Sequence, residues 1–275
     1  MRDPAHLSQR WMSVRAVMSF VATCLGKSQK PHLLVIVPVF NGEEKLKRAL
    51  HSVDVFSMEC KTSLVVCDDG SEDNSISIAL KFRARNLENF RVVKARMNYG
   101  LNTMRNLGLV TARDLDYTHF TFLDYDDVLQ PVGKRLAKDL RGDPELLRGQ
   151  IERYSKENEV SVKYFAFAPS IYNRRLLDLV GYWDTRFPSG GDYNYLLRVY
   201  KAETIGIGVR IKYSNLIYQR CEIHGENMSL NRSIQRAKNA FKMNEREKIL
   251  KASDLSSLEF NIDINSYLEM GEQIK

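Results

Sequence analysis

Residues 118–127 read THFTFLDYDD, an apolar, aromatic run that breaks off into three carboxylates, Asp124, Asp126 and Asp127. A run of this composition predicts a buried strand. Open α/β sheets bind ligands at the carboxyl ends of their strands, which is where these acids fall. Strand side chains alternate with period two, so Asp124 and Asp126 point the same way. Two carboxylates on one face repel each other, and a hard divalent cation relieves that repulsion. The stretch therefore predicts a metal site for an anionic, phosphorylated ligand.

The flanking sequence fits a sheet. Upstream, apolar runs at 33–37, 63–67 and 90–94 alternate with helical spacing at 43–53, 72–85 and 102–113, so 120–123 is the fourth strand. Short strand–helix alternation predicts a parallel sheet with helices on both faces and every post-strand loop at one edge. Downstream the pattern changes. The spacing predicts a charged helix over 132–147, a polar mobile loop at 148–158, a strand at 160–168 and a short helix at 174–180. A helix follows at 190–200, then one or two strands within 208–218 and a basic helix at 233–251. The divisions expected are an extension at 1–30, one catalytic domain at 31–232 with halves 31–131 and 132–232, and a helical tail at 233–275.

The chain has 275 residues, 44% hydrophobic and 27% charged, enough for one large domain with a substantial core. Its net charge of +7 is a solvated basic surface, or an attraction to anionic membrane or phosphate-bearing substrate. It carries no recognisable nucleic-acid module, so no nucleic-acid partner is expected. Cys24, Cys60, Cys67 and Cys221 lack C-x-x-C spacing, which argues against a zinc site or disulfide framework and fits a reducing, cytoplasmic compartment. The apolar stretch 16–25 is too short to span a bilayer and predicts a helix packed on the domain or resting on a membrane surface. The basic helix at 233–251 has the same two readings, packing or peripheral membrane contact. The sequence leaves the oligomeric state open.

Each polar loop has a plain structural reading beside a chemical one. In Asp68-Asp69-Gly70-Ser71 the carboxylates can accept hydrogen bonds from a base or ribose, or Ser71 and Asp73 can simply cap the next helix. Arg105 can reach a phosphate, or be merely solvated, and Asn106 can fix a loop by hydrogen bonds. Asp192, behind Gly190-Gly191, is either an N-terminal helix acid or a general base facing a hydroxyl. His224, in HGENMS, is a metal or diphosphate contact, or a structural histidine.

Taken in order, these motifs resemble glycosyltransferase family 2, inverting enzymes with the GT-A fold. The order is Pro38-Val39-Phe40-Asn41, Asp68-Asp69-Gly70-Ser71, and Asn98-x-Gly100 with Arg105-Asn106-x-Gly108. Then come Leu123-Asp124-x-Asp126-Asp127, Gly181-Tyr182-Trp183-Asp184 with Phe187, Gly191-Asp192, and His224 with Asn227 and Ser229. The likeness runs from Leu33 to about Ser229. It implies an α/β GT-A fold, a Rossmann-like, mostly parallel sheet flanked by helices. It implies transfer of one sugar from a nucleotide-diphosphate donor to a glycan or lipid-linked acceptor. A UDP-sugar is favoured, with GDP-mannose or a dTDP-sugar open. Pro38, Val39, Phe40, Asn41, Asp68 and Asp69 are implied to hold the nucleoside, with Arg105, Asp124 and Tyr125 completing the donor site. Asp126 and His224 are implied ligands of Mn²⁺ or Mg²⁺, Asp192 the catalytic base, and Asp127, Trp183 and Gly191 acceptor contacts. Many family members carry Glu-Asp where this chain has Gly191-Asp192. The Gln-x-x-Arg-Trp motif of processive synthases is absent.

Two other classes compete. Residues 120–129, FTFLDYDDVL, also fit the haloacid-dehalogenase-type phosphatase signature, with Asp124 as nucleophile and Asp126 as general acid. That motif usually follows the first strand, whereas three strands precede it here, and Leu196 stands where a later acid is wanted. The other is a non-catalytic sugar-nucleotide binder.

Overall fold

Leu33–Val39 (β1) is buried at all seven positions, and so is Thr62–Asp68 (β2). Strands buried on both faces read as continuous apolar runs rather than alternating ones, as these do. β1 pairs in parallel with β2 and with His119–Phe122 (β4), and β2 pairs in parallel with Asn89–Ala95 (β3). The structure, a computed structural model, describes residues 30–155, 160–164, 170–187, 190–222, 246, 248–251, 253 and 260–274.

Three helices cover this parallel core: Leu46–Ser57 (α1), Ser75–Lys81 (α2) and Leu101–Thr111 (α3). Leu33, Val35, Val37, Leu64 and Val66 pack in one layer with Leu46, Leu50 and Val53 of α1. Leu34, Ile36, Val65 and Cys67 point the other way, to Met104 and Leu107 of α3. Gly108 lets α3 sit close to the sheet. A Cβ there would lie 3.1 Å from Cys67 Sγ and nearer still to Ile36.

The second half adds Val128–Leu129 (β5), Gly133–Asp139 (α4), Leu146–Ser155 (β6), Val160–Tyr164 (β7), Ile171–Asn173 (β8), Leu176–Val180 (α5), Gly191–Thr204 (α6) and Ile211–Glu222 (β9). Ile264–Met270 (α7) and Gly271–Ile274 (β10) follow. One sheet runs β10-β3-β2-β1-β4-β8-β6-β9-β5, with β7 on β6. β8 is antiparallel to both β4 and β6, and β6 is parallel to β9, so β6 and β9 run with β1 and end on the same edge. Phe120, Phe122, Tyr172, Trp183 and Tyr195 form an aromatic layer beneath that edge. Trp183 stacks on Tyr195 with centroids 3.6 Å apart and planes 7° from parallel.

The α/β architecture is the one the sequence predicts; several elements differ. The helix expected over 132–147 ends at Asp139, and the chain turns through Gly142 (φ 86°) and Asp143 (φ 53°). The loop expected at 148–158 is largely β6. Its polar residues find partners across the sheet: Arg148 donates to Tyr200 Oη at 2.7 Å, Arg220 pairs with Glu152 at 3.1 Å, and Tyr154 donates to Glu222 at 3.1 Å. A polar strand of this kind has no apolar period to betray it. In the tail, α7 is helical as expected, but 271–274 is a strand on the outer edge of β3. The segment 16–25 and most of the basic helix at 233–251 lie outside the described residues. No helix among the described residues is long and apolar enough to cross a membrane.

Candidate active site

The carboxyl ends of β1, β2 and β4 form one edge, and their loops are bound to each other. β1 ends at Val39, followed by Phe40, 40% exposed, and Asn41 with φ 49°. The Asn41 N–H donates to Ser71 Oγ at 2.9 Å, its Oδ1 accepts from Glu72 N–H at 3.0 Å, and Gly42 N–H donates to Ser75 Oγ at 2.8 Å. Asp68, the last residue of β2, accepts from Ser71 N–H at 3.0 Å, and its Oδ2 is a buried oxygen with no partner among the described residues. Asp69 accepts from Tyr99 N–H at 2.6 Å and Gly100 N–H at 2.9 Å. Burial raises its pKa and these two bonds work against the rise. Gly70, at φ 74°, lies against the backbone of Met97, where a Cβ would come within 2.7 Å of the carbonyl carbon. Ser71 and Asp73 brace the loop and helix start, as the structural reading of this motif expects.

β4 is followed by Leu123, whose N–H donates to Ile36 O at 3.0 Å, and then by the acids in a tight turn closed by Asp127 N–H to Asp124 O at 3.0 Å. Beneath them lies Arg105 of α3, its side chain 3% exposed. Its Nη1 donates to Asp192 Oδ1 at 2.9 Å, its Nη2 is 3.6 Å from Asp124 Oδ1, and its guanidinium sits 5.0 Å from the centre of the Phe122 ring. Burial opposes the charge on Arg105, and Asp192 and Asp124 more than offset it, raising its pKa. Asp124 is pushed up to about 6: desolvation and repulsion from Asp126 and Asp192 outweigh Arg105. Its side chain is still 45% exposed, so water shares in its solvation. The Asp126 backbone is held by Arg48 of α1, whose Nη2 donates to its carbonyl at 2.8 Å while Nη1 pairs with Glu222 of β9 at 2.7 Å. Tyr125 packs its ring over Gly42. Asp127 is buried, accepts from Gln219 Nε2 at 3.0 Å, and is pushed up to about 8, chiefly by desolvation and then by Asp124 and Asp126.

Asp192 lies in the first turn of α6 with its side chain 15% exposed. The segment before it is gripped by α3. Asn106 accepts from Trp183 N–H at 3.0 Å and donates to Trp183 O at 2.8 Å, the loop-fixing role expected of it. Arg198 of α6 donates to Val180 O and Tyr182 O.

The fold therefore brings Pro38, Val39, Phe40, Asn41, Asp68, Asp69, Arg105, Asp124, Tyr125, Asp126, Asp127 and Asp192 to one edge. Trp183 is a correction. It is fully buried in the aromatic layer and supports the site from below rather than meeting an acceptor. Asp127 and Gly191 are likewise buried, Asp127 turned to Gln219 and Gly191 to Asn102. His224 lies outside the described residues. Among the described residues no group of three His, Cys, Asp or Glu side chains forms a ready metal shell. Arg48, Asn102 and Glu222 escape motif reading, because each acts on an element distant in sequence. For Arg48 the only local sign is a charge on a helix whose opposite face is core.

Residues 34–201 match the family model for glycosyl transferase family 2. The chain is 29% identical over 100 residues, 36% of its length, to the uncharacterised glycosyltransferase YibD of Escherichia coli (strain K12), and 30% identical over 113 residues, 40% of its length, to the minor teichoic acid biosynthesis protein GgaA of Bacillus subtilis (strain 168). Those matches span 27% and 25% of the two relatives, about a quarter of each. Among solved structures, the fold is shared with residues 1–349 of S. aureus TarS in complex with UDP-GlcNAc, at a TM-score of 0.60, 21% identity, and coverage of 80% of this chain and 70% of that one. It is also shared with the mannosyltransferase PcManGT of Pyrobaculum calidifontis in complex with GDP-Man and Mn²⁺, at 0.57, 14%, 93% and 77%. With the family model covering more than half its length and the acid-bearing edge in the matched region, the chain belongs to glycosyltransferase family 2.

Proposed function

We propose that this protein is an inverting glycosyltransferase that moves one sugar from a nucleotide-diphosphate donor to a hydroxyl of a glycan or lipid-linked acceptor. The observation that carries this reading is the Arg105 bridge. One buried guanidinium ties the carboxylate at the end of β4 to the carboxylate at the start of α6, so the donor half and the acceptor half meet over a few ångströms. Arg105 takes Asp192 Oδ1 and leaves Oδ2 without a hydrogen bond among the described residues. Oδ2 accepts the proton of the acceptor hydroxyl as its oxygen attacks the anomeric carbon. The glycosidic bond forms on the face opposite the departing nucleoside diphosphate, and the anomeric configuration inverts.

The nucleoside lies against Phe40 and Asn41, over the buried Val39, with Asp68 and Asp69 as its hydrogen-bond acceptors. Asp68 Oδ2, buried without a partner among the described residues, suits a donor N–H or O–H. Asp126 and Asp124 fit a divalent cation, Mn²⁺ or Mg²⁺, because such ions are held by one or two carboxylates and complete their shell from substrate phosphates and water. Desolvation and then repulsion from Asp126 raise Asp124, and a cation between the two carboxylates relieves the second of these. When bound, the cation neutralises charge on the leaving diphosphate. A UDP-sugar is favoured and a GDP-sugar is the alternative; similar folds hold UDP-GlcNAc and GDP-Man. The relative named for teichoic acid biosynthesis supports a polymer or lipid-linked acceptor. The basic residues of 233–251 support a peripheral contact with an anionic membrane surface.

A thermal-shift screen of nucleoside diphosphates and nucleotide sugars, each with Mn²⁺ and with EDTA, tests this reading. A metal-dependent rise with one base, lost in Asp126→Ala, is expected. No rise with any nucleotide, together with turnover of a simple phosphate ester, overturns it in favour of the phosphatase chemistry.

A further inference from the structure

Asn102 opens α3 one turn before Asn106 and is 4% exposed. Its Nδ2 donates to Phe187 O at 2.8 Å and to Asp184 O at 3.3 Å, so one amide gathers two carbonyls of the segment that leads to Asp192. Its other neighbour is Gly191. A Cβ on Gly191 would lie 2.7 Å from Asn102 Cγ and closer still to both amide atoms. Gly191 is not among the residues with positive φ, so its backbone suits any residue and only space forbids a side chain. The carboxamide of Asn102 thus fills the place next to Asp192 that a side chain at 191 would take. Asn102, Arg105 and Asn106 lie at i, i+3 and i+4 on one face of the helix, and all three engage residues 183–192.

We propose that Asn102 is a positioning residue for Asp192 and that Gly191 is its obligate counterpart, the two acting as one unit that sets how far the carboxylate reaches toward the acceptor hydroxyl. The inference rests on the transferase reading given above. Two carbonyls drawn to one buried amide hold Asp184 and Phe187 against α3, and Arg105 fixes the Asp192 side chain from the same helix. Displacing a reacting group by about 1 Å costs on the order of 100-fold in rate. A side chain at 191 can enter only by driving Asn102 off its carbonyls or by shifting the first turn of α6, and either moves Asp192. The side-chain hydrogen bonds of Asn102 go only to the 184–187 segment, not to the loops after β1, β2 and β4. The effect therefore falls on kcat and leaves donor binding alone.

The test is a double-mutant cycle on the full chain, with kcat, donor KM and nucleotide affinity measured for the wild type, Asn102→Ala, Gly191→Ala and the double variant. Gly191→Ala is expected to lower kcat roughly 30- to 100-fold with donor KM within about threefold. In the Asn102→Ala background the same change is expected to cost less than about threefold, since the clash has gone. Equal costs in both backgrounds, or a matching loss of nucleotide affinity, overturn the proposal. Should Gly191→Ala not fold, Asn102→Ala alone decides: kcat falling roughly tenfold or more at unchanged nucleotide affinity supports it, and unchanged kcat overturns it. Asp192→Asn serves as the control. A wild type with no Asp192-dependent transfer defeats the transferase reading itself, whereas a working wild type with an indifferent Asn102 defeats only this inference.

Discussion

Residues 31–131 and 132–222 reach the same edge by different means. In the first, each loop leaves a parallel strand and is fastened by small side chains and backbone amides from the next loop: Ser71 to Asn41, Ser75 to Gly42, Asp69 to Tyr99 and Gly100. In the second, the sheet is mixed, and large polar side chains join separate elements, Arg148 to Tyr200 and Arg198 to Val180 and Tyr182, while Arg48 of the first region reaches across to Glu222. The first half builds its edge by bonding successive strand-end loops to one another. The second positions Asp192, the proposed base, only through contacts that exist once the chain has folded.

The largest effect should come at the junction. Asp192→Asn keeps the shape and removes the base, so kcat should fall about 10²- to 10⁴-fold while nucleotide affinity stays. Loss of nucleotide affinity in the same variant would mean the halves are not separable. Arg105→Met strips the shared cation from Asp124 and Asp192. Removing one partner of a buried ion pair costs about 3–5 kcal/mol, read as a lower denaturation midpoint. A neutral outcome would show that the two halves hold their carboxylates independently.

Gly149→Ala probes whether β6 is a packed strand. A Cβ there would lie 2.5 Å from Tyr218 Cδ1, beside the register shifts between Arg148 and Ile151, and overpacking of this kind costs about 1–3 kcal/mol. A mobile loop would absorb the methyl group at no cost. The buried base of the first half responds to acid. Desolvation holds His119 and His32 below their ordinary pKa. Between that lowered value and 6.5 the unfolded chain binds more protons, so stability is full above pH 6.5 and falls as pH drops below it. His119→Gln should flatten this acid-side fall in a urea titration across pH 7 to 5; an unchanged slope would remove His119 from the balance. Asp114→Asn should matter least. It loosens the Arg91–Asp114 pair at 2.6 Å, but Asp114 is 64% exposed, and such pairs are worth about 0.2–1 kcal/mol.

The same contrast explains what reading the sequence could reach. β1 to β4 and their helices are legible because apolar runs buried on both faces alternate with amphipathic ones, and the loops carry their own turn chemistry. Asp69-Gly70 illustrates this: a positive φ needs the glycine, and the carboxylate caps the adjacent loop. β6 is illegible because Arg148, Gln150, Glu152 and Arg153 interrupt its apolar period, and only strands placed beside it later give them partners. Trp183 misleads for a related reason. An aromatic within a ligand-site motif looks like a contact, yet only the packed layer of Phe122, Tyr172 and Tyr195 reveals it as a floor. Asn102 carries no local sign at all, since its partners lie more than 80 residues away.

β10 has a consequence for how the molecule is made. It supplies the hydrogen bonds along the outer edge of β3, through Gly271 to Ala95 and Ile274 to Val92. At synthesis rates of about 5–20 residues per second, the roughly 180 residues between them take about 9–36 s to emerge. Throughout that interval the nascent sheet carries an open β3 edge, a template for pairing with other chains. The ladder is also among the longest-range closures in the fold, so it raises contact order and slows the final step. Residues 271–274 are therefore the ones that turn an open, sticky edge into a paired one.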